Sequence, residues 1–243
     1  MALKRVNKKS RKGSKRKSSL KKKIGKKSPS QKKKISKKSA KKITPKKAKP
    51  KVKRGRPKFP RIDWEKTAVG ELAGLFSSWL KECGFDVVLV GRACAAVHAG
   101  NMMHVDRFDF MMENFPIEEV QSKLKKFGFR PVDLRTFKRS DCPYTLNFPA
   151  PPVTVGDELV TEYTKVKSKY GEYKLLNATD CVRCRLTTYY RWGDEEALSD
   201  ALQIAVKKKI DIKLVERWSA REWAMEKFRE FLNELAKRLL ARE

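Results

Sequence analysis

Cys181 and Cys184 stand at a C-x2-C interval, at which two thiolates can share a tetrahedral metal ion. No second such pair accompanies them. Cys83, Cys94 and Cys142 are scattered through apolar or helical contexts, and five is an odd number. Reduced thiols on helix faces are therefore expected, with no disulfide framework and no metal site. The two histidines, His98 and His104, lack any Ser–Asp or Cys–Asp arrangement and read as a packed helix residue and a loop residue. Tyr189, Tyr190, Trp192, Trp218 and Trp223 could stack on bases, but at helical spacing they read first as core or interhelical contacts. The strongest chemical signal is electrostatic. Residues 1–60 hold 29 Lys and Arg and no Asp or Glu, whereas the remainder holds 30 basic and 28 acidic residues. A polycation of this density seeks a polyanion. Anionic lipid and acidic protein are alternatives for any lysine run, and nucleic acid comes first.

Within that tract, Lys53-Arg54-Gly55-Arg56-Pro57-Lys58 resembles the AT-hook, a peptide that fits the narrow minor groove of A·T-rich DNA. Pro57 stiffens the turn out of the core, Gly55 lets the backbone approach the groove floor, and Arg54 and Arg56 reach along the groove. Narrow A·T grooves carry enhanced negative potential, so an inserted guanidinium gains most there. Thr44-Pro45-Lys46-Lys47 resembles the S/T-P-K-K turn of linker-histone tails, and the whole Lys/Ser/Ala/Pro tract is similar to a histone H1 tail. DNA is thus the expected partner and RNA the second choice. Phosphorylation of Ser28 or Thr44, each followed by proline, would subtract nearly two charges. The tail's apolar residues are isolated singles such as Val6, Leu20, Ile24, Ile35 and Ile43, too few to offset chain entropy, so disorder in the free state is expected over 1–60. No apolar run approaches the roughly 18 residues of a membrane span, and the basic start is followed by more Lys and Ser. Neither secretion nor membrane insertion is expected; the expected location is cytoplasmic and nucleoid-associated, or nuclear in a eukaryote.

Past Asp63, a candidate helix cap, the periodicity changes. Leu72, Leu75, Phe76, Trp79 and Leu80 make a helical stripe that Gly84 stops. A short apolar run at 85–90 ends at Gly91 and reads as a buried strand. A small-residue helix follows over 92–99, then a strand at 105–112 and a helix through Ile117, Val120, Leu124 and Phe127, stopped by Gly128. Further strands are expected at 130–137, 144–148, 159–166 and 172–176. From Asn177, capped with Asp180, the pattern is helical: Val182, Leu186 and Tyr189 line one helix, Leu198, Ala201, Leu202 and Ala205 the next. Trp218, Trp223, Phe228, Phe231, Leu235 and Leu239 continue the apolar surface.

This order is similar to that of the nucleotidyltransferase fold. The segment from Val88 through Gly91-Arg92-Ala93-Cys94 to His98-Ala99-Gly100 resembles the LVGGxAVxxHxG opening of bacterial domains related to the AbiEii toxin group and DNA polymerase β. The segments at 180–186 and 189–194 resemble that group's helical second half, so the likeness spans residues 64–232. It implies a glycine pair for phosphate approach and an Asp-x-Asp strand plus a third acid for two divalent metals. The matching positions here are Gly91-Arg92, Arg107-Phe108-Asp109 and Asn147, leaving one carboxylate of three. Asp106 lies at an odd spacing from Asp109, on the opposite face of an unbulged strand. Either Arg107 pairs with Asp109 or another acid and plugs the site, or Arg92 and Arg107 make it a phosphate- or nucleic-acid-binding cleft.

The expectation is an α+β fold with a nucleotidyltransferase-like mixed sheet and flanking helices over 61–176, a helical part of the same domain over 177–243, and a disordered DNA-binding tail over 1–60 with its hook at 53–58. The expected function is DNA-binding and nucleoid- or chromatin-associated, with an inactive catalytic domain and no cofactor. One rival is an active nucleotidyltransferase tethered to DNA, which would need Mg²⁺; another is an antitoxin-like module with a protein partner.

Overall fold

The computed structural model describes residues 62–100 and 103–241. The expected disordered tail over 1–60, with the hook at 53–58 and the Thr44-Pro45-Lys46-Lys47 turn, lies outside the described residues. A mixed seven-stranded sheet carries flanking helices and a C-terminal helical region. Its strands are β1 (Val88–Val90), β2 (Arg107–Met111), β3 (Arg130–Pro131), β4 (Thr136–Lys138), β5 (Thr145–Asn147), β8 (Tyr163–Ser168) and β9 (Gly171–Leu176). Two further strands, β6 (Thr154–Val155) and β7 (Glu158–Leu159), pair as a separate hairpin. The sheet order is β3-β4-β5-β2-β1-β9-β8. At its centre β2 runs antiparallel to β1 and parallel to β5, and β1 runs parallel to β9.

Helix α1 (Val69–Glu82) buries Leu72, Leu75, Phe76, Trp79 and Leu80, the residues of its apolar stripe. Phe76 meets Phe108 of β2 edge-on at 4.9 Å and Phe129 at 6.2 Å between centroids. Truncating a ring so placed to alanine costs about 3–5 kcal/mol. Because side chains alternate along a strand, Phe108 and Phe110 take the α1 side of β2, and Arg107 and Asp109 are turned to the other side. Asp63 does not cap α1. It closes an earlier turn, accepting from the Lys66 amide at 3.2 Å, while Ala68 precedes α1 without a side-chain cap. The cause is tertiary: Trp64 stacks on Phe76 at 6.1 Å and its carbonyl accepts from the Tyr144 hydroxyl at 3.1 Å, which draws this turn off the helix axis.

Two expected strands are divided. The segment at 130–137 folds into the β3–β4 hairpin because the Asp133 carboxylate accepts the Arg135 and Thr136 amides at 2.8 and 2.7 Å, bending the chain and leaving Val132 and Leu134 exposed. The segment at 159–166 is shared between β7, paired with β6 across Gly156, and β8, paired with β9. Helix α2 (Gly91–His98) follows β1 directly, and α3 (Ile117–Leu124) ends in a 3-10 turn at Lys125–Phe127 before Gly128.

The helical region comprises α4 (Ala178–Trp192), α5 (Glu195–Lys207), α6 (Ile212–Arg221) and α7 (Met225–Leu240). Asn177 caps α4 by accepting the Asp180 amide at 2.9 Å; Asp194 and Asp211 cap α5 and α6 in the same way. The α2 helix packs against both α4 and α5. No described helix is long and apolar enough to cross a membrane.

Two tryptophans leave the apolar surface expected of them. Trp218 is buried and stacks on Tyr190 at 5.5 Å, but Trp192 is 81% exposed and Trp223 is 95% exposed. Trp223 falls in the turn between α6 and α7, where the amides of Trp223 and Ala224 bond back to Ala220 and Ser219, and its φ of 57° is left-handed. Helical periodicity stops being a guide once the helix has ended. A glycine would hold this conformation without the penalty a Cβ brings, so Trp223→Gly is expected to stabilise the protein by about 1 kcal/mol, read as a raised urea midpoint at unchanged slope.

Candidate functional site

The turn from β1 into α2 brings together the residues of the candidate site. Val90 lies opposite Asp109 across the β1–β2 ladder, and Asp109 lies opposite Asn147 across β2–β5, so three adjacent strands converge on one carboxylate. Gly91 must be glycine for two reasons. Its φ is +64°, and a Cβ there would sit 2.6 Å from Asp109 Oδ2. The bare backbone that the resemblance assigns to phosphate approach is here filled by the aspartate itself.

Asp109 is only 6% exposed, and its Oδ1 is engaged twice. Its Oδ1 accepts from Asn147 Nδ2 at 2.7 Å and lies 3.0 Å from Arg107 Nε, while Oδ2 faces Gly91. The Asn147 amide is oriented from behind, since its Oδ1 accepts the Thr136 hydroxyl at 3.2 Å. Burial pushes the Asp109 carboxyl above its ordinary range; Arg107, the bond from Asn147 and the charge of Arg185 pull it back down. Arg107 is itself half exposed and forms the lid of this cluster.

Arg92 points elsewhere. It bonds Glu196 on α5 at 2.6 Å, and its Nε lies 3.5 Å from Asp200, which also takes Arg185 at 3.2 Å. Asp200 is 1% exposed, and burial raises its carboxyl while Arg185 and Arg92 lower it. Arg92 and Arg185 thus tie α2 and α4 to α5 by neutralising a buried acid. Removing either partner would leave charge uncompensated inside the protein. This α5 network has no counterpart in the spacing of the motifs, because its acids lie about a hundred residues beyond Arg92.

Asp106 lines a different cavity, of about 500 Å³, with His104 and Tyr144, and does not join Asp109. Two divalent ions do not fit the Asp109 cluster: one carboxylate is present where three are implied, it already serves Arg107 and Asn147, and the positive charges of Arg107 and Arg185 act on it.

The cysteines sort differently from their sequence interval. Cys184 is held near Gly91, whose amide bonds its sulfur, and burial pushes its thiol up to about 11. Cys181, one turn earlier, turns to Cys94 of α2 instead. His98 is buried and its Nε2 bonds the Leu176 carbonyl at 2.9 Å, while His104 is exposed before β2, as a loop residue.

No protein-family model and no curated protein sequence matches the chain. Among solved structures, it is similar to an antigenic nucleotidyltransferase-like protein from Paracoccidioides brasiliensis, at 16% identity and a TM-score of 0.44, over 56% of this chain and 73% of that one. It is also similar to the antibiotic-resistance factor ANT(2'')-Ia, at 11% identity and a TM-score of 0.39, over 71% of this chain and 93% of that one.

Proposed function

We propose that this is a DNA-binding, nucleoid- or chromatin-associated protein whose basic tail supplies affinity and whose nucleotidyltransferase-like domain does not transfer nucleotides. The observation that carries the reading is the partition of charge: 29 cations and no anion in 60 residues, beside a body of 30 cations and 28 anions. The hook at Lys53–Lys58 and the turn at Thr44–Lys47 direct that charge to A·T-rich minor grooves. The loss of catalysis is supported by Asp109, whose carboxylate neutralises Arg107 instead of a metal. No cofactor is needed for this role.

The hook is tested by Arg54→Ala with Arg56→Ala, which leaves 27 other tail cations. Total DNA affinity is expected to fall modestly, while the preference for A·T over G·C duplexes disappears. A minor-groove-binding drug should compete only with the unmutated protein. If the preference survives both treatments, the hook does not read the groove. The enzyme reading is tested in parallel by titrating the full chain with nucleotide and Mg²⁺. Binding and transfer that Asp109→Ala abolishes would establish an active enzyme in place of this reading.

A further inference from the structure

Cys94 and His98 are four residues apart on α2 and so project from one helix face, and Cys181 reaches them from the first turn of α4. The sulfurs of Cys94 and Cys181 and a ring nitrogen of His98 all lie within 4.8 Å of one another. All three residues are buried, the two cysteines completely. We propose that they form a binding site for a soft divalent transition metal, with zinc the best match, that clamps α2 to α4.

The ligand set and its surroundings both favour zinc. Two thiolates and an imidazole suit it, and a tetrahedral site with its usual bond lengths needs ligand atoms roughly 3.3–3.8 Å apart, an adjustment of about 1 Å from the observed spread. Two thiolates cancel the charge of a divalent ion, so the loaded site buries no net charge. Without metal, the Leu176 carbonyl accepts from His98 Nε2 at 2.9 Å and from Cys94 Sγ at 3.8 Å. The carbonyl fixes the imidazole ring as the outer partners of metal-bound histidines do. His98 also lines a cavity of about 430 Å³ that is open to solvent beside Thr164 and Lys208, giving the ion a route in and a fourth ligand, such as water, a place. The Cys181-x2-Cys184 interval contributes one ligand only, since the Cys184 sulfur is engaged with the Gly91 amide.

The balance is simple: the metal ion enters and two thiol protons leave to solvent, with no oxidation. Affinity should therefore weaken as the solution is acidified. The experiment uses the reduced full-length protein, stripped by chelator and titrated with Co²⁺. One equivalent should bind with a near-ultraviolet thiolate-to-cobalt charge-transfer band and the visible bands of a tetrahedral ion, and Zn²⁺ should displace it. Cys94→Ser and Cys181→Ser should each halve the charge-transfer band and weaken binding beyond the roughly 10–100-fold that losing an outer hydrogen-bond partner costs. Cys184→Ser should leave both unchanged. X-ray absorption at the zinc edge of the unmutated protein needs no variant to fold and should report two sulfurs and one imidazole. A wild-type protein without the cobalt band, a band indifferent to both Cys94→Ser and Cys181→Ser, or a zinc spectrum without two sulfurs would overturn the proposal.

Discussion

Removing residues 1–60 is expected to abolish most DNA affinity while leaving a domain that unfolds cooperatively. The body that remains carries a net charge of +2 against +31 for the whole chain. Among the described residues its core runs from Leu72 to Leu235. If about ten tail cations replace counterions on the duplex, the log–log salt slope of the full chain is about −9, and such a slope means losing roughly 10⁵-fold in affinity between 50 and 200 mM salt. The truncated protein should show a slope near zero. Duplex binding by fluorescence anisotropy across salt concentrations, with thermal melts of both proteins, decides the matter. Equal affinity without the tail would move DNA recognition to the folded domain, where exposed Trp192 and Trp223 would be the first residues to examine.

Adding two carboxylates beside Asp109 is expected to turn its cluster into a metal site. Arg107→Asp with Asn147→Asp places three acids around the β1–α2 turn and removes the guanidinium that now neutralises Asp109. Arg92 must stay, because it and Arg185 neutralise the buried Asp200. Without metal the double variant should be destabilised at neutral pH, and the sign follows from linkage. Crowded carboxylates have folded pKa values above their unfolded ones, so the folded state holds more protons. The variant is therefore most stable at low pH and loses stability as pH rises through those values. Mn²⁺ or Mg²⁺ should restore it, by about 2.7 kcal/mol at a hundredfold excess over Kd, whereas the parent's melting temperature should not respond through this site. Melting curves with and without metal, from acid to neutral pH, give the readout. A parent protein stabilised by Mg²⁺ to the same degree, with the effect lost in Asp109→Ala, would show that the native cluster already binds metal.

Much of the fold follows from local physics that a single chain displays. The stripe of α1, the buried run ending at Gly91, the cap at Asn177, and the mixed character of strands and helices are set by side-chain periodicity and by backbone groups needing partners. The charge partition and the identities of Arg107, Asp109 and Asn147 are likewise matters of residue type. Tertiary structure decided what local signals leave open. Trp64 moved the start of α1, Asp133 turned one strand into a hairpin, and the end of α6 put Trp223 in water. It also chose partners across the chain: Asp200 for Arg92, Arg107 and Asn147 for Asp109, and Cys94 with His98 for Cys181 in place of the neighbouring Cys184. The physical reason is the same each time. Helix and strand periods fix which face a side chain occupies, but which distant element covers that face depends on packing and charge neutralisation summed over the whole sheet and its helices.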